Sequence, residues 1–415
     1  MPQIAQDNAL DSSLAFYREG YEFFRHRHRQ FHTDIFQAKL LGKTYNCVFG
    51  EDAARMFYEP DRFTRQGALP SSTLKLLQDE GSVAVLDAEA HAQRKQMFLS
   101  LMTPEHLRAF AQLASEVLLE AAADQRSQNG GVINLDQALR GVLCDAACRW
   151  IDIRLERSEL QRLTGELGAM IDNAGTIGPA NWTARIRRWH SEQLLRQQVE
   201  RVRAGSLAPR GGSGLEIIAS HREPDGQLLA PEICSVELLN VLRPIVAISR
   251  FMTFATLALH QHSAAHAQLR SDDAFLEPFV QEVRRLTPFF PVVAGIARED
   301  FDWRDYRFGK GDRFALDLYG TNRDPRAWDD PEAFRPERFI GWRGNAFTMI
   351  PQGGGDFVGH RCAGEWLTIA VMTSLMCTLV RKIEYEVPEQ DLEVDLSRIP
   401  AAPKSGFVID VKSLH

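Results

Sequence analysis

From Pro231 to His260 the chain reads PEICSVELLNVLRPIVAISRFMTFATLALH, thirty residues with apolar side chains on every helical face. As a helix this stretch is about 45 Å long, and a helix apolar all round must be enclosed on all sides. Its length would also span a bilayer. Glu237, Asn240, Arg243 and Arg250 interrupt it, however, and no comparable segment accompanies it. The reading is therefore a buried helix through the centre of a large fold, without a transmembrane segment. A chain of 415 residues supplies the material to enclose it.

Arg243 and Pro244 stand in the middle of that helix. A guanidinium keeps its charge and, once buried, requires an anionic partner. Proline lacks the N–H that would bond four residues back, so it frees the carbonyl of Asn240 and disturbs the turn before it. Two such defects side by side mark a site. On the helix alone, an Asp or Glu across the core explains Arg243 better than a ligand does.

Helical periodicity dominates elsewhere. Thr103 and Pro104 open a helix as N-cap and first-turn proline, followed by the stripe Leu107, Phe110, Leu113, Val117 and Leu118. Further helices are predicted near 158–172, 183–203, 231–262, 272–286 and 363–380, and short strands around 33–49, 292–297, 305–316 and 407–411. Gly205 to Gly214 reads as a loop, and it lacks the Lys-Ser/Thr of a phosphate-binding loop. No repeat or low-complexity linker divides the chain. The expectation is one domain over 1–415, mainly α with a minor β part.

The net charge of −7 argues against nucleic acid as main partner. Cys47, Cys144, Cys148, Cys234, Cys362 and Cys377 contain no CxxC pair, which suits a reducing interior. The start MPQIAQDNALDSSLAF has neither the basic head nor the apolar core of a signal peptide. A cytoplasmic location is the expectation. His260, His262 and His266 close the long helix, where its dipole favours cations, and are set aside as a metal site. Arg25 to Gln30 (RHRHRQ) reads as a solvated basic face.

The segment Phe347 to Trp366, FTMIPQGGGDFVGHRCAGEW, sets four glycines within ten residues before Cys362 and Gly364 after it. Such backbone lies flat against a planar group and aims N–H groups at a thiolate. A lone Cys is more often a small buried hydrophobe. This loop, however, resembles the haem-binding loop of the cytochromes P-450. Glu282-Val283-Arg284-Arg285 is similar to that family's Glu-x-x-Arg pair, and AWDDPEAFRPERF, with Arg338, to its Pro-Glu-Arg-Phe stretch. The resemblance runs from about residue 10 to 411. It implies the P-450 fold, a triangular prism of helices around haem b (iron protoporphyrin IX), with Cys362 as axial thiolate. It further implies that Glu282, Arg285 and Arg338 lock the chain beneath the haem, and that His91, Lys95, Arg65 and His360 bind its propionates.

Most members of that family carry an acid–alcohol pair on the central helix; here Leu242-Arg243-Pro244-Ile245 stands in its place. VELLNVLRPIVAISRF, FVQEVRRLTPFFP, IPQGGG and KSGF resemble the bacterial fatty-acid peroxygenases. That subgroup implies hydrogen peroxide as oxidant, no redox partner protein, and Arg243 as a bidentate clamp on the fatty-acid carboxylate. The clamped carboxylate serves as acid and base, and Pro244 shapes the helix where peroxide fits. The expected products are fatty acids hydroxylated at the α or β carbon, with some decarboxylation to terminal alkenes.

Two departures accompany the resemblance. Ala84 stands where the subgroup commonly has Gln or His, which favours hydroxylation, and the loop before Cys362 is one residue shorter, which alters the hydrogen bonds to sulfur. The alkyl chain is expected against Leu77, Ala84, residues 171–179, Phe289, Phe290, Pro291 and Val292. Two other functions compete: a reductase-dependent monooxygenase acting on another carboxylated small molecule, and a haem-based carboxylate sensor.

Overall fold

The computed structural model describes residues 2–78 and 81–415, with backbone alone at 128 and 129. Pro231–Gln261 form one helix that packs most extensively against four others: Leu135–Ile151, Arg157–Asp172, Pro179–Arg203 and Glu365–Lys382. Its all-round apolar surface demands that enclosure; Leu238, Leu239, Leu242, Val246 and Phe251 are all buried. The helix is long and apolar enough to cross a membrane, yet most of it is covered by protein. It also continues through Pro244. The disturbance expected before the proline is confined to the missing donor, because four packed neighbours hold the axis.

The molecule is mainly helical with small sheets. Thr103 accepts from the His106 backbone N–H at 3.3 Å, Pro104 takes the first helical position, and Gly130 closes the helix at φ 66°. The expected helix over 183–203 begins one turn earlier, at Pro179. The expected 272–286 divides into a 3₁₀ turn, Asp273–Phe275, and the helix Leu276–Leu286. Leu135–Ile151 was not foreseen. Buried on several sides, it shows no single apolar stripe.

The six-stranded sheet runs Ala5–Gln6, Ile35–Leu40, Lys43–Val48, Arg313–Asp317, Val292–Ala297, Phe63–Thr64 in space. Val292 opposes Asp317 in an antiparallel ladder, which delivers Phe289 to Pro291 beside the central helix. There the Phe289 ring stacks on Phe251, centroids 4.7 Å apart. The C-terminal strand Val408–Leu414 lies between Ile383–Glu386 and Val132–Asn134.

The basic run at Arg25 to Gln30 is a solvated face only in part: His26, Arg29 and Gln30 are exposed, while Arg25, Arg27 and His28 are not. It lies on the amphipathic helix Glu22–Phe31, with Phe23, Phe24 and His28 buried. Arg25 pairs with Glu22 at 2.9 Å and Arg27 with Asp7 at 2.9 Å and Glu19 at 2.6 Å. Acidic neighbours from the chain start and the preceding helix neutralise it.

Candidate active site

Cys362 lies just before the helix Glu365–Lys382, with the glycine-rich loop folded back over it. Burial and Glu365 push its thiol up; the Gly364 backbone N–H, Lys95 and Arg284 act the other way. Gln352 Nε2 lies 3.9 Å from the sulfur and donates to Thr368 Oγ1 at 3.0 Å. Its Oε1 accepts from Arg284 at 3.0 Å, and Arg284 pairs with Glu365 at 2.6 Å. The sulfur therefore faces a backbone donor, an amide donor and a buried cation. Burial outweighs these groups and keeps the free sulfur a thiol, while their placement opposes that cost and suits the charge a ligand sulfur must carry.

His91 and Lys95 lie one turn apart on the helix Ala88–Ser100, and the fold brings Arg65 and His360 to them. The His91 and His360 rings are 4.1 Å apart. Lys95 donates to the Arg361 carbonyl, and Arg65 to the Ala294 carbonyl at 2.7 Å. Burial is the main cause of the depressed values here: His360 falls to about 3 and Lys95 to about 8, and His91 and Arg65 are also lowered, with repulsion from the neighbouring cations adding to it at the two histidines. Four basic groups gather, and Asp87 is the one carboxylate acting on His91 and Arg65. The cluster is built for added negative charge.

On the central helix, Arg243 and Pro244 break a run of buried residues: Pro244 is exposed and Arg243 partly so, between Leu242 and Ile245, which are buried. That face of the helix therefore borders an internal cleft. Among the described residues Arg243 pairs with no carboxylate. It donates to the Leu77 carbonyl and, at 3.4 Å, to Asn240 Oδ1. Leu77 is the last residue of the helix Ser71–Leu77, whose dipole gives Arg243 only partial negative charge. Burial pulls the guanidinium down to about 9, and Arg188 acts the same way. Leu77 thus meets Arg243 through its main chain, and its side chain is half-buried.

The other predicted lining residues differ in exposure. Ala84 is the middle of the 3₁₀ turn Val83–Val85 and is partly exposed. Phe289 is buried, while Phe290 is 36% exposed and edge-on to it at 4.6 Å. Val292 opens its strand, partly exposed. Residues 171–179 join two helices, and Ile177 points outward at 63% exposure, so that loop is not uniformly a wall.

The three charged residues expected beneath the site meet. Arg285 binds Glu282 through two bonds of 2.7 and 2.8 Å, and Arg338 reaches Glu282 at 3.2 Å. Arg285 also holds the carbonyls of Asn322, Pro331 and Ala333. A buried ion pair is stable only when its remaining donors are also satisfied, and here they close the long loop onto the helix Leu276–Leu286. No group of three or more His, Cys, Asp or Glu among the described residues is disposed to hold a metal ion. Reading the sequence missed the roles of Gln352, Arg284 and Glu237. The signal for Glu237 was its i, i+3 spacing to Asn240 and Arg243.

Comparison with known proteins agrees with this geometry. The family model described as Cytochrome P450 matches residues 256–408. Cytochrome P450SP alpha in complex with (R)-ibuprophen is 41% identical, with a TM-score of 0.94 over 98% of this chain and 99% of that one. Cytochrome P450EX alpha with myristic acid is 39% identical, with a TM-score of 0.95 over 100% of both. A variant of cytochrome P450 OleT in complex with arachidonic acid is 34% identical, with a TM-score of 0.96 over 100% of this chain and 99% of that one.

Proposed function

This chain belongs to the cytochrome P450 family, and on that premise we propose that it hydroxylates fatty acids at the α or β carbon with hydrogen peroxide, with some decarboxylation to terminal alkenes. One observation carries the reading: Arg243 is a buried guanidinium on the wall of the cleft with no carboxylate partner among the described residues. Its counter-ion arrives with the substrate. Two of the relatives were solved with fatty acids and a third with (R)-ibuprophen.

The residues present fit haem b. Cys362 offers the axial sulfur, and Arg65, His91, Lys95 and His360 form a basic cluster suited to two propionates. Bound there, haem supplies the iron centre through which hydrogen peroxide oxidises a C–H bond. Propionate carboxylates raise the depressed values of Lys95 (about 8) and His360 (about 3). Haem loading at pH 8 is therefore expected to charge Lys95 more fully, while Cys362 gives up its thiol proton on ligating the iron. Calorimetry in two buffers of unequal ionisation enthalpy, on Lys95→Met beside the unaltered protein, reads the share of the lysine, and equal proton counts in the two would remove Lys95 from the cluster.

Arg243 binds the substrate carboxylate bidentately and holds it beside Pro244. The held carboxylate moves protons for peroxide, since the helix carries no acid–alcohol pair of its own. Anchoring the head group limits which carbons reach the centre: the first two of the chain. Ala84 offers neither proton nor hydrogen bond from the turn Val83–Val85, which favours hydroxylation over alkene formation. Phe290 and Val292, neither of them fully buried, are assigned to the alkyl chain on their apolar character. No redox partner protein is required, and the six unpaired cysteines suit the cytoplasm.

The test is mass spectrometry of products after mixing the haem-loaded protein with myristic acid and hydrogen peroxide, without a reductase. Hydroxymyristic acid or tridecene is the expected product. Turnover only with an added reductase would overturn the reading.

A further inference from the structure

Glu237, Asn240 and Arg243 follow one another at intervals of three along one face of the central helix. Glu237 is fully buried, and three donors converge on its carboxylate. Arg94 Nη1 and the Val83 backbone N–H each lie 2.8 Å from Oε1, and Asn240 Nδ2 lies 2.8 Å from Oε2. Arg94, itself buried, also binds Glu223 and the Gly81 carbonyl. With its NH₂ turned to Glu237, the Asn240 amide turns its oxygen to Arg243 Nη2, at 3.4 Å.

We propose that Glu237 is a positioning residue for the carboxylate anchor: by accepting from Asn240 it fixes which end of that amide Arg243 meets. The inference rests on the reading of Arg243 as the anchor of the fatty-acid head group. An ionised carboxylate accepts and never donates, so Asn240 has one satisfactory orientation, with its acceptor toward the guanidinium. The same carboxylate pins the turn Val83–Val85, which carries Ala84. One buried group thus sets the head-group clamp and the neighbouring turn relative to each other.

Glu237→Gln tests this with little change in volume. A glutamine that keeps Arg94 and Val83 on its oxygen presents NH₂ to Asn240. The Asn240 amide then reverses and sets its own NH₂ against the Arg243 guanidinium. Holoenzyme titrated with myristic acid, followed by the haem absorbance, is expected to show about tenfold weaker binding in Glu237→Gln. Imidazole, a neutral haem ligand, is expected to bind it as it binds the unaltered protein.

Asn240→Leu supplies the second arm. It removes the amide, and the effect of Glu237→Gln on myristate affinity is expected to vanish in that background, because the two act in series. Additive losses in the double variant, or wild-type myristate affinity in Glu237→Gln, would overturn the proposal. If Glu237→Gln does not load haem, Asn240→Leu alone decides: wild-type myristate affinity in that variant overturns the relay, and a loss confined to myristate supports it. Wild-type myristate binding in Arg243→Ala is a different failure. It removes the anchor reading itself, and the positioning role with it.

Discussion

Arg243→Ala is expected to retain haem and its thiolate spectrum while losing peroxide-driven oxidation of myristic acid by about three orders of magnitude. Two losses combine in that figure. Without the guanidinium the substrate carboxylate has no cation on this stretch of helix, so the reacting carbon is no longer held, and misplacement alone costs about a hundredfold. The carboxylate is also lost as proton donor and acceptor, a contribution of about 10² to 10⁴. Folding is not expected to suffer, because among the described residues Arg243 holds only the Leu77 carbonyl and Asn240, and no carboxylate is left behind. Removing a buried cation whose charge burial opposes is neutral or mildly stabilising. The measurement is product formation at saturating peroxide, beside the ferrous-CO spectrum as a check on the haem. Undiminished turnover would eliminate the substrate-carboxylate mechanism. Arg243→Lys separates the losses: its charge remains but the bidentate geometry does not, and it is expected to fall between the two.

Cys362→Ser is expected to abolish thiolate ligation and, with it, all peroxide-driven hydroxylation. The Gly364 N–H, Lys95 and Arg284 favour charge on the sulfur, against the burial and the Glu365 carboxylate that push its thiol up. A serine hydroxyl stays protonated there, far above the range in which these groups could ionise it. The ferrous-CO band characteristic of thiolate haem is the readout, and its persistence in the serine variant would sink the ligand assignment. The Arg284–Glu365 pair, at 2.6 Å, survives the substitution, so loss of ligation is not expected to bring loss of fold.

Much of this architecture was legible because the sequence carried its own constraints. The run from Pro231 had one consistent solution, a helix enclosed by others, and the structure encloses it. The Cys362 loop, Glu282–Arg285 and Arg338 carried the family, and their side chains meet. Boundaries were less legible: the helix Pro179–Arg203 starts a turn before its apolar repeat, because Pro179 serves as a first-turn residue. Leu135–Ile151 went unseen because burial on several faces erases the stripe that betrays a helix. The relation of Glu237 to Asn240 was not readable either. Its i, i+3 spacing was present, but the converging partners Arg94 and Val83 come from 143 and 154 residues away. Leu77 contributes a carbonyl, and nothing in the identity of a side chain reports what its backbone does.

Arg243 has one more consequence, and it concerns safety rather than rate. Hydrogen peroxide is small, diffuses freely, and damages any enzyme that activates it idly. Among the described residues no carboxylate pairs with Arg243, so on the proposed mechanism half of the proton-handling machinery arrives only with a fatty acid. An empty site is then expected to leave the oxidant largely untouched: its ignition key is the very molecule to be burned.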